Sequence, residues 1–304
     1  MLMSEQVRPR AAVPEQLALG GMPEKLFVCT PSKLGAYEDC PRRFRYQYVD
    51  RPQPQKGPPW AHNSLGASVH TALKNWYALD VAARTVEALP RLLRATWVAE
   101  GYRDGAQERA AFDVALRWLE EYVGTLDPAD DPVGVERVVA TRTPVLAFNG
   151  RVDRIDRRGD ELVIVDYKTG RAPLTSDDAR GSRALALYAF AAERTIHRRC
   201  RSVELHHLPT GSVAAHEHTE ESLRRHVSRA EDTARDIVAA QRRMAAGEDP
   251  DAAFPTAPSN RCSWCDWRRV CPVGRDAVER EPWSSVQRAL DPAGDAAEST
   301  PAAG

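Results

Sequence analysis

The chain has 304 residues, of which 42% are hydrophobic and 28% charged, and its formal net charge is −1. This composition predicts one large or two small globular domains, without an apolar run long enough to cross a membrane. The polar N-terminus carries no signal peptide, so we expect a cytoplasmic protein, and a near-zero net charge means that nucleic-acid contact must rest on local basic patches. Because disulfides are disfavoured in a reducing cytoplasm, any clustering among the 6 cysteines indicates metal ligation.

Residues 1–25 show no sustained periodicity and are predicted to form a flexible arm. The letters TPS at 30–32 then signal a helix start, with Ser32 as the N-cap or in the first turn. Cys40-Pro41 interrupts this helix, and a stretch of arginines interleaved with aromatic residues follows it. That mixture suits contact with a nucleic-acid strand, and the alternative interpretation is a solvated helix face over an aromatic core.

Three amphipathic segments predict a helical subdomain over residues 61–126. They run from about 64 to 80, 86 to 103 and 107 to 122, and they end at the breaker DPADDPVG. His70 lies in the first of these helices. A lone helical histidine is more often a bystander than a ligand, so its local pattern assigns it no role.

From residue 135 to residue 218 the pattern predicts a sheet core. Within it, residues 150–170 (GRVDRIDRRGDELVIVDYKTG) predict two strands joined by a turn at 157–160. Side chains alternate along a strand, so Asp166 and Lys168 share one face, Tyr167 points to the other, and Asp153 lies near the same edge. Two carboxylates and an ammonium group are costly to bury there unless they serve a divalent metal. The lysine would orient or activate a water, or stabilise negative charge.

The other elements of this region carry weaker signals. Glu136 is interpreted as a surface charge in preference to a ligand beside the carboxylates. A helix is predicted over 182–195, a hairpin over 203–218 and a long charged helix over 220–246. The histidines that alternate along the hairpin are predicted to be solvated sheet residues in preference to a metal site; they are His206, His207, His216 and His218.

Three cysteines form a compact cluster within residues 261–275. Cys262, Cys265 and Cys271 give the pattern C-x2-C-x5-C, which leaves a tetrahedral metal or a four-iron cluster one ligand short. Cys40 is the natural fourth ligand, and its competitor Cys29 lies in an apolar run that indicates core. At this point zinc and an iron–sulfur cluster both remain open. Residues 276–304 are rich in Ala, Pro, Ser and acids and are predicted to be disordered.

Several motifs, taken together in their order along the chain, resemble one known family. They are SKLGAYEDCPRRFRYQY, GASVH, GRVDRID, IVDYKTG, ALYAF and the cysteine cluster. The family is that of the RecB-like exonucleases of the PD-(D/E)XK superfamily, especially the iron–sulfur branch with the CRISPR-adaptation nucleases and AddB-type nuclease domains. The resemblance spans most of residues 30–275. It implies an α/β restriction-endonuclease-like core over 26–275, with a mixed central sheet flanked by helices, a helical insertion and a C-terminal cysteine cluster.

The resemblance also implies roles for single residues. His70 would be the metal-contacting helical histidine, Asp153 and Asp166 the metal-binding acids, and Lys168 the lysine of the third motif. Tyr188 would be the tyrosine of the helical Gln-x3-Tyr motif. The four cysteines would hold a [4Fe–4S] cluster that clasps the two ends of the chain. The family's glutamine falls at Ala184 here, and the adjacent Arg183 is a candidate replacement for its DNA contact.

The combined hypothesis is a Mg²⁺- or Mn²⁺-dependent deoxyribonuclease, an exonuclease acting on single strands or free ends in DNA repair or recombination. The metal would bind His70, Asp153, Asp166 and the backbone carbonyl of Tyr167. Trp264 or Trp267 would offer a stacking surface. The predicted DNA-contacting arginines are Arg42, Arg43, Arg45, Arg183, Arg268 and Arg269.

Two alternatives stay open at the level of the sequence. One is a non-catalytic DNA-binding or helicase-partner module of the same fold, which the Ala184 departure favours. The other keeps the nuclease but places Zn²⁺ at the cysteines. The chain has no G-x4-G-K-[ST] motif, so unwinding would need a helicase partner.

Overall fold

The computed structural model describes residues 26–170 and 172–290, so the predicted flexible arm at 1–25 lies outside the described residues. Its sheet has the order β1-β3-β4-β5-β6, and β2 pairs with β3 as well. The β1–β3 and β4–β5 pairs are parallel and the other pairs are antiparallel, so the sheet is mixed. The strands are β1 (Phe27–Cys29), β2 (Gly134–Arg142), β3 (Leu146–Arg158), β4 (Glu161–Lys168), β5 (Cys200–His207) and β6 (Ser212–Glu217).

Helices cover both faces of this sheet, and none of those described is long and apolar enough to span a membrane. Short turns of 3₁₀-helix occupy Val81–Ala83, Val86–Ala88 and Asn260–Trp264, and a π-helical turn occupies Arg45–Val49. The α-helices are α1 (Pro31–Asp39), α2 (Pro41–Phe44), α3 (Ala61–Tyr77), α4 (Leu89–Thr96), α5 (Gly105–Val123), α6 (Ser176–Gly181), α7 (Arg183–Ile196), α8 (Glu220–Ala245), α9 (Pro250–Ala253), α10 (Pro272–Arg275) and α11 (Ser284–Leu290).

Strand β4 separates two hydrophobic cores. Leu162 and Ile164 pack into a core with α1, α7 and α8, whereas Val163, Val165 and Tyr167 pack into a second core with α3, α4 and α5. A strand buried on both faces needs apolar residues at consecutive positions, which explains the unbroken run LVIV. The same alternation sends the Tyr167 ring to the α3 side, as predicted.

The C-terminal segment corrects one prediction. Residues 284–290 were expected to be disordered, but they form α11, which packs against α3 and α5. Val286 is buried in the second core, and the Gln107 amide donates to Trp283 O and to Gln287 Oε1, at 3.3 and 3.0 Å. The composition of the segment did not predict this helix, because the α5 residues that it packs against are distant in sequence. Residues 291–304 lie outside the described residues.

Two further predictions also need correction. The helix expected over 86–103 ends at Thr96, because Trp97 adopts extended backbone angles and stacks its ring on Tyr102. The histidines expected to be solvated are mostly buried: His206, His207 and His218 are each at most 7% exposed. His206 bonds Tyr122 and Glu204, which satisfies a polar ring inside the protein.

Candidate active site

The geometry of the site begins with an irregularity in β3. Val152 and Ile155 pack into the same core although they are three residues apart, so the regular alternation breaks at Asp153. The β2 residue across from Asp153 is Glu136, because Val135 pairs with Arg154 and Arg137 pairs with Val152. Glu136 has a φ of +50°, a left-handed conformation that non-glycine residues seldom adopt. This local distortion places two carboxylates side by side.

Helix α3 supplies a histidine to the same point. His70 Nδ1 lies 3.3 Å from Asp153 Oδ2, and the His70 ring contacts the edge of Tyr167 at a centroid distance of 5.8 Å. His70, Glu136 and Asp153 each offer one ligand atom, and these three atoms lie within 4.8 Å of one another. Among the described residues this is the one such cluster of His, Cys, Asp and Glu side chains.

The end of β4 brings the remaining charged groups. The Tyr167 N–H donates to Asp153 Oδ2 at 2.9 Å, which ties β4 to β3 beyond their regular pairing. The Lys168 ammonium is in ionic contact with Asp166 Oδ2, yet that buried oxygen receives no well-directed hydrogen bond. An under-satisfied buried carboxylate oxygen is expected to bind a further positive group.

Burial and neighbouring charges shift the pKa values of these groups. Burial raises the pKa of Asp166, the Lys168 ammonium opposes that shift, and the negative charge of Asp153 adds to it. For His70, burial lowers the pKa, but the hydrogen bond and the charge of Asp153 outweigh burial, so the net shift is upward. Both shifts show that the carboxylates and the imidazole at this site interact electrostatically.

Tyr188 on α7 closes one side of the site. Burial raises the pKa of its hydroxyl to about 12, and the charges of Asp166 and Asp153 add to that shift, so the hydroxyl stays protonated at neutral pH. Its ring lies against Gly150 on β3, where an added Cβ would come within 2.4 Å of Tyr188 Cε1. Gly150 is therefore required for the ring to occupy this position.

An open cavity of about 760 Å³, which we call the catalytic groove, gives solvent access to several of these residues. His70, Asp153, Glu136 and Tyr188 line it together with Arg151, whose Nε lies 2.8 Å from Glu136 Oε2. The cavity therefore joins a mixed oxygen and nitrogen donor set to a surface groove. Hard oxygen donors with one imidazole suit Mg²⁺ or Mn²⁺.

The six arginines predicted to contact DNA are dispersed. Arg42 and Arg45 are buried, and their guanidinium groups bind Phe254 O, Asp251 and Asp50 inside the protein. Arg183 forms an ion pair with Glu38, and Arg268 forms one with Glu279. Arg269 is exposed.

Arg43 lines the same cavity as the cysteines. It pairs with Asp39 at 3.2 Å, and its buried Nε has no hydrogen-bond partner. Of the two candidate stacking residues, Trp264 is half-buried, whereas Trp267 is 1% exposed and cannot offer a face to a base.

The four predicted cysteine ligands line a single cavity of about 270 Å³. Cys40 enters it from the start of α2, and Cys262, Cys265 and Cys271 enter from the loop between α9 and α10. All four are free thiols, and backbone N–H groups of Ala257 and Ser259 point at the sulfurs of Cys40 and Cys262. Cys29, the competitor, is buried in the first core as predicted.

Acidic and imidazole groups beside a lysine, at the end of a mixed sheet, define a candidate hydrolase site. A family model described as the PD-(D/E)XK nuclease superfamily matches residues 28–272, and the chain belongs to that superfamily. Its six-stranded mixed sheet flanked by helices confirms the predicted restriction-endonuclease-like fold. Membership of this superfamily supports a nuclease function.

Other comparisons are more distant. No curated protein matches the chain. A crystal structure of a protein proposed to be an exonuclease, from Eubacterium rectale, is similar at 11% identity and a TM-score of 0.44. That similarity covers 72% of this chain and 82% of the other chain.

Two residues at the site were missed by sequence reasoning. Glu136 was interpreted as a surface charge, and a positive φ at a glutamate has no local sequence signal. Arg154 was assigned no role, but its buried guanidinium binds the hydroxyls of Tyr77, Tyr122 and Tyr167 at 2.6, 2.9 and 3.3 Å. Arg154 therefore holds the Tyr167 side chain in place on the face of the sheet that is opposite Asp166. For Arg154, the only hint in the sequence was a charged residue at the point where the alternation of the strand breaks.

Proposed function

We propose that the protein is a metal-dependent DNA nuclease whose metal site is formed by His70, Glu136, Asp153 and Asp166. The observation that carries this proposal is the convergence of three ligand atoms within 4.8 Å, beside the Asp166–Lys168 pair. Relative to the sequence hypothesis, Glu136 is added to the donor set. The backbone carbonyl of Tyr167 remains a proposed further ligand, because the N–H of the same residue donates to Asp153 Oδ2 and so holds this backbone segment next to the donor set.

The donor set fits a Mg²⁺ or Mn²⁺ ion. Three carboxylates and an imidazole provide hard ligands, and the under-satisfied Asp166 oxygen provides a position that a cation would complete. When bound, the ion would lower the pKa of a water molecule and neutralise charge on the scissile phosphate.

The chain's own side chains supply orientation and charge. Asp153 accepts from the Tyr167 N–H and lies against His70, so its carboxylate is fixed before substrate arrives. The Lys168 side chain is 44% exposed, which lets its ammonium reach a phosphate or position a nucleophilic water. Because its hydroxyl stays protonated, Tyr188 can donate a hydrogen bond to a phosphate oxygen in the groove.

DNA contacts are proposed for the accessible basic residues. Arg42 and Arg45 are withdrawn from this set because their guanidinium groups are used inside the protein. Arg43 and Arg269 remain, and Arg151 joins them because it lines the groove. Arg43 and Arg151 also pair with carboxylates, Asp39 and Glu136, but their side chains are more exposed than those of Arg183 and Arg268. Arg183 and Arg268 would contribute only by exchanging their present carboxylate partners for phosphates.

The cysteine cavity is proposed to hold a [4Fe–4S] cluster, which would place the protein in the iron–sulfur branch of the RecB-like exonucleases. All four thiols line one cavity, but no three sulfurs in the described chain lie within 4.8 Å of one another. A tetrahedral Zn²⁺ with Zn–S bonds of about 2.3 Å would hold them at about 3.8 Å, so a larger group fits better. Visible absorption near 400 nm after anaerobic purification would support the cluster, and its absence would support Zn²⁺, because a zinc thiolate site is colourless.

The physiological setting completes the proposal. We infer exonucleolytic action on single strands or free DNA ends in repair or recombination, in the cytoplasm, with a separate helicase where unwinding is needed. The alternative is a non-catalytic DNA-binding or helicase-partner module. It draws support from Ala184, which stands on α7 four residues before Tyr188 where the family has a glutamine.

One experiment separates the two functions. Purified protein is incubated with end-labelled single-stranded and duplex DNA in Mg²⁺, Mn²⁺ or EDTA. Degradation that requires the divalent ion supports the nuclease. DNA binding without cleavage in either metal would instead establish the non-catalytic module.

A further inference from the structure

A second cavity of about 590 Å³ lies next to the catalytic groove. Their common wall consists of Gly66 on α3 and Thr169 after β4, which are so close that a Cβ on Gly66 would lie 3.2 Å from Thr169 Oγ1. Thr169 directly follows Lys168, so the cavity begins one residue from the catalytic lysine. Its far wall is the cysteine loop at Trp264, and α11 covers one side.

Aromatic rings dominate the far end of this cavity. Trp264 packs against Trp60 at a centroid distance of 5.1 Å, and the exposed His62 meets Trp264 edge-on at 6.2 Å. The Arg280 guanidinium lies over the Trp264 ring at 4.7 Å. A half-buried tryptophan that is held by its neighbours and covered only by an exposed arginine is a surface on which another planar group can stack.

The charge of this cavity favours an anionic ligand. Arg43 and Arg280 both line it, and the buried Nε of Arg43 has no hydrogen-bond partner. The cavity's carboxylate, Asp266, already accepts from Trp60 Nε1 at 3.2 Å. Two guanidinium groups and a stacking ring in one cavity match the phosphate and the base of a nucleotide.

We propose that this cavity binds one unpaired nucleotide of the substrate strand, with its base stacked on Trp264 and its phosphate held by Arg43 and Arg280. Arg280 moves off the Trp264 ring when the base enters and pairs with the phosphate. The strand then passes Thr169 and Gly170 to reach the catalytic groove. This inference rests on the proposed nuclease function and deepens it, because it assigns the site that receives one unpaired base of the strand.

The walls of the cavity favour an unpaired base over a paired one. Its walls are α3, the cysteine loop and α11, and a volume of about 590 Å³ accommodates a nucleotide but not a duplex. In a duplex the faces of the bases are stacked on one another, so only an unpaired base can present a face to Trp264.

The test measures binding in EDTA, which prevents metal-dependent cleavage. A single-stranded oligonucleotide carrying 2-aminopurine reports stacking through loss of fluorescence, and a blunt hairpin duplex serves as the paired probe. Trp264→Leu should weaken single-strand binding about tenfold and remove the fluorescence loss, whereas Trp264→Phe should retain most of both. Arg280→Gln should weaken single-strand binding by a smaller factor. Hairpin binding should change little in all three variants.

The matched control is Arg94→Gln. Arg94 is also an exposed arginine over an aromatic ring, 5.6 Å from Phe112, but it lies on α4 outside the cavity. Its substitution should leave single-strand binding unchanged. If Trp264→Leu lowers the unfolding temperature, Arg280→Gln and His62→Ala carry the test, because both residues are exposed.

The outcomes separate this inference from the proposed function. Unchanged single-strand binding in Trp264→Leu and Arg280→Gln, or equal losses for single strand and hairpin, would overturn the nucleotide site while metal-dependent cleavage by the wild type still stands. Conversely, Trp264-dependent binding by a wild-type protein that cleaves nothing would keep the site and reject the nuclease.

Discussion

The catalytic groove and the cysteine cavity are built by opposite means. The groove draws its residues from paired strands and from α3, a helix of 17 residues packed into the second core. The cysteine cavity is enclosed by helical segments of four or five residues, α2, α10 and the 3₁₀ turn Asn260–Trp264. Such short helices are unstable alone, so their arrangement depends on what they bind and on a few ties such as Arg42 to Phe254 O.

We therefore propose that the groove is preformed, whereas the cysteine region depends on the proposed cluster. Strand register and α3 position the side chains of the groove. In the cysteine cavity, the proposed cluster would supply much of the geometry and stability of the region. Substitutions in the groove should therefore abolish activity without unfolding the protein. Substitutions of the cysteines should lower both activity and stability in part.

The largest effect is expected for Asp166→Ala. Loss of this carboxylate should lower metal-dependent cleavage at least about a thousandfold, because it removes a metal ligand and the partner of Lys168. The unfolding temperature should not fall, since burial already disfavours the charge of Asp166. The control is Asp160→Ala in the exposed β3–β4 turn, which should retain full activity. Full activity in Asp166→Ala would reject the assigned site.

Cys262→Ser should affect stability more than activity. We expect loss of visible absorption, and a lower free energy of unfolding by several kcal/mol, on the order seen when structural metal sites are broken. Cleavage should fall only in part, because the groove does not contain this residue. Cys200→Ala is the matched control, since Cys200 is a buried thiol outside the cavity. Equal effects of the two substitutions on absorption would contradict ligation by Cys262.

Gly150→Ala tests the preformed side more gently. The new methyl group must displace the Tyr188 ring, which should cost about 1–3 kcal/mol of folding free energy and reduce cleavage about tenfold. Gly35→Ala on α1 meets no atom within 4 Å and should be neutral or stabilising by up to about 1 kcal/mol. Chemical denaturation and initial cleavage rates measure both variants. A Gly150→Ala protein with wild-type activity would remove Tyr188 from the proposed site.

The smallest expected effect is the release of protons from His70 when the metal binds. Because the pKa of His70 is raised, its protonated form stabilises the metal-free fold; this contribution is fully present below pH 6.5 and is lost as pH rises through the folded-state pKa. A metal needs the neutral imidazole, so Mn²⁺ binding near neutral pH should release protons and tighten as pH rises.

Calorimetry in two buffers of different ionisation enthalpy measures this release. His70→Gln should reduce it. His62→Gln should not, because His62 lines the second cavity and not the groove. Identical heats in both buffers for the wild type would contradict the role of His70 at the metal.

Much of the architecture was predictable because it follows from local patterns. The apolar run of β4 flanked by Asp166 and Lys168 predicted a buried strand ending in charged residues, and the helices at α3, α5, α7 and α8 followed from their periodicity. The roles of His70 and Tyr188 came only from the family resemblance, since a histidine on a helix has no local signal. Glu136 and α11 were mispredicted, because each depends on a partner that is far away in sequence.

Neighbouring residues alone were therefore enough to predict most of the elements, the acid-x-lysine end of β4 and the spacing of the three clustered cysteines. Which charged groups meet depends on the folded chain. In it, Glu136 turns toward Asp153 through a positive φ, Arg42 and Arg45 lie inside the protein, and Trp264 lines the second cavity. The physical reason is that burial and convergence are properties of packed surfaces, and no window of consecutive residues contains them.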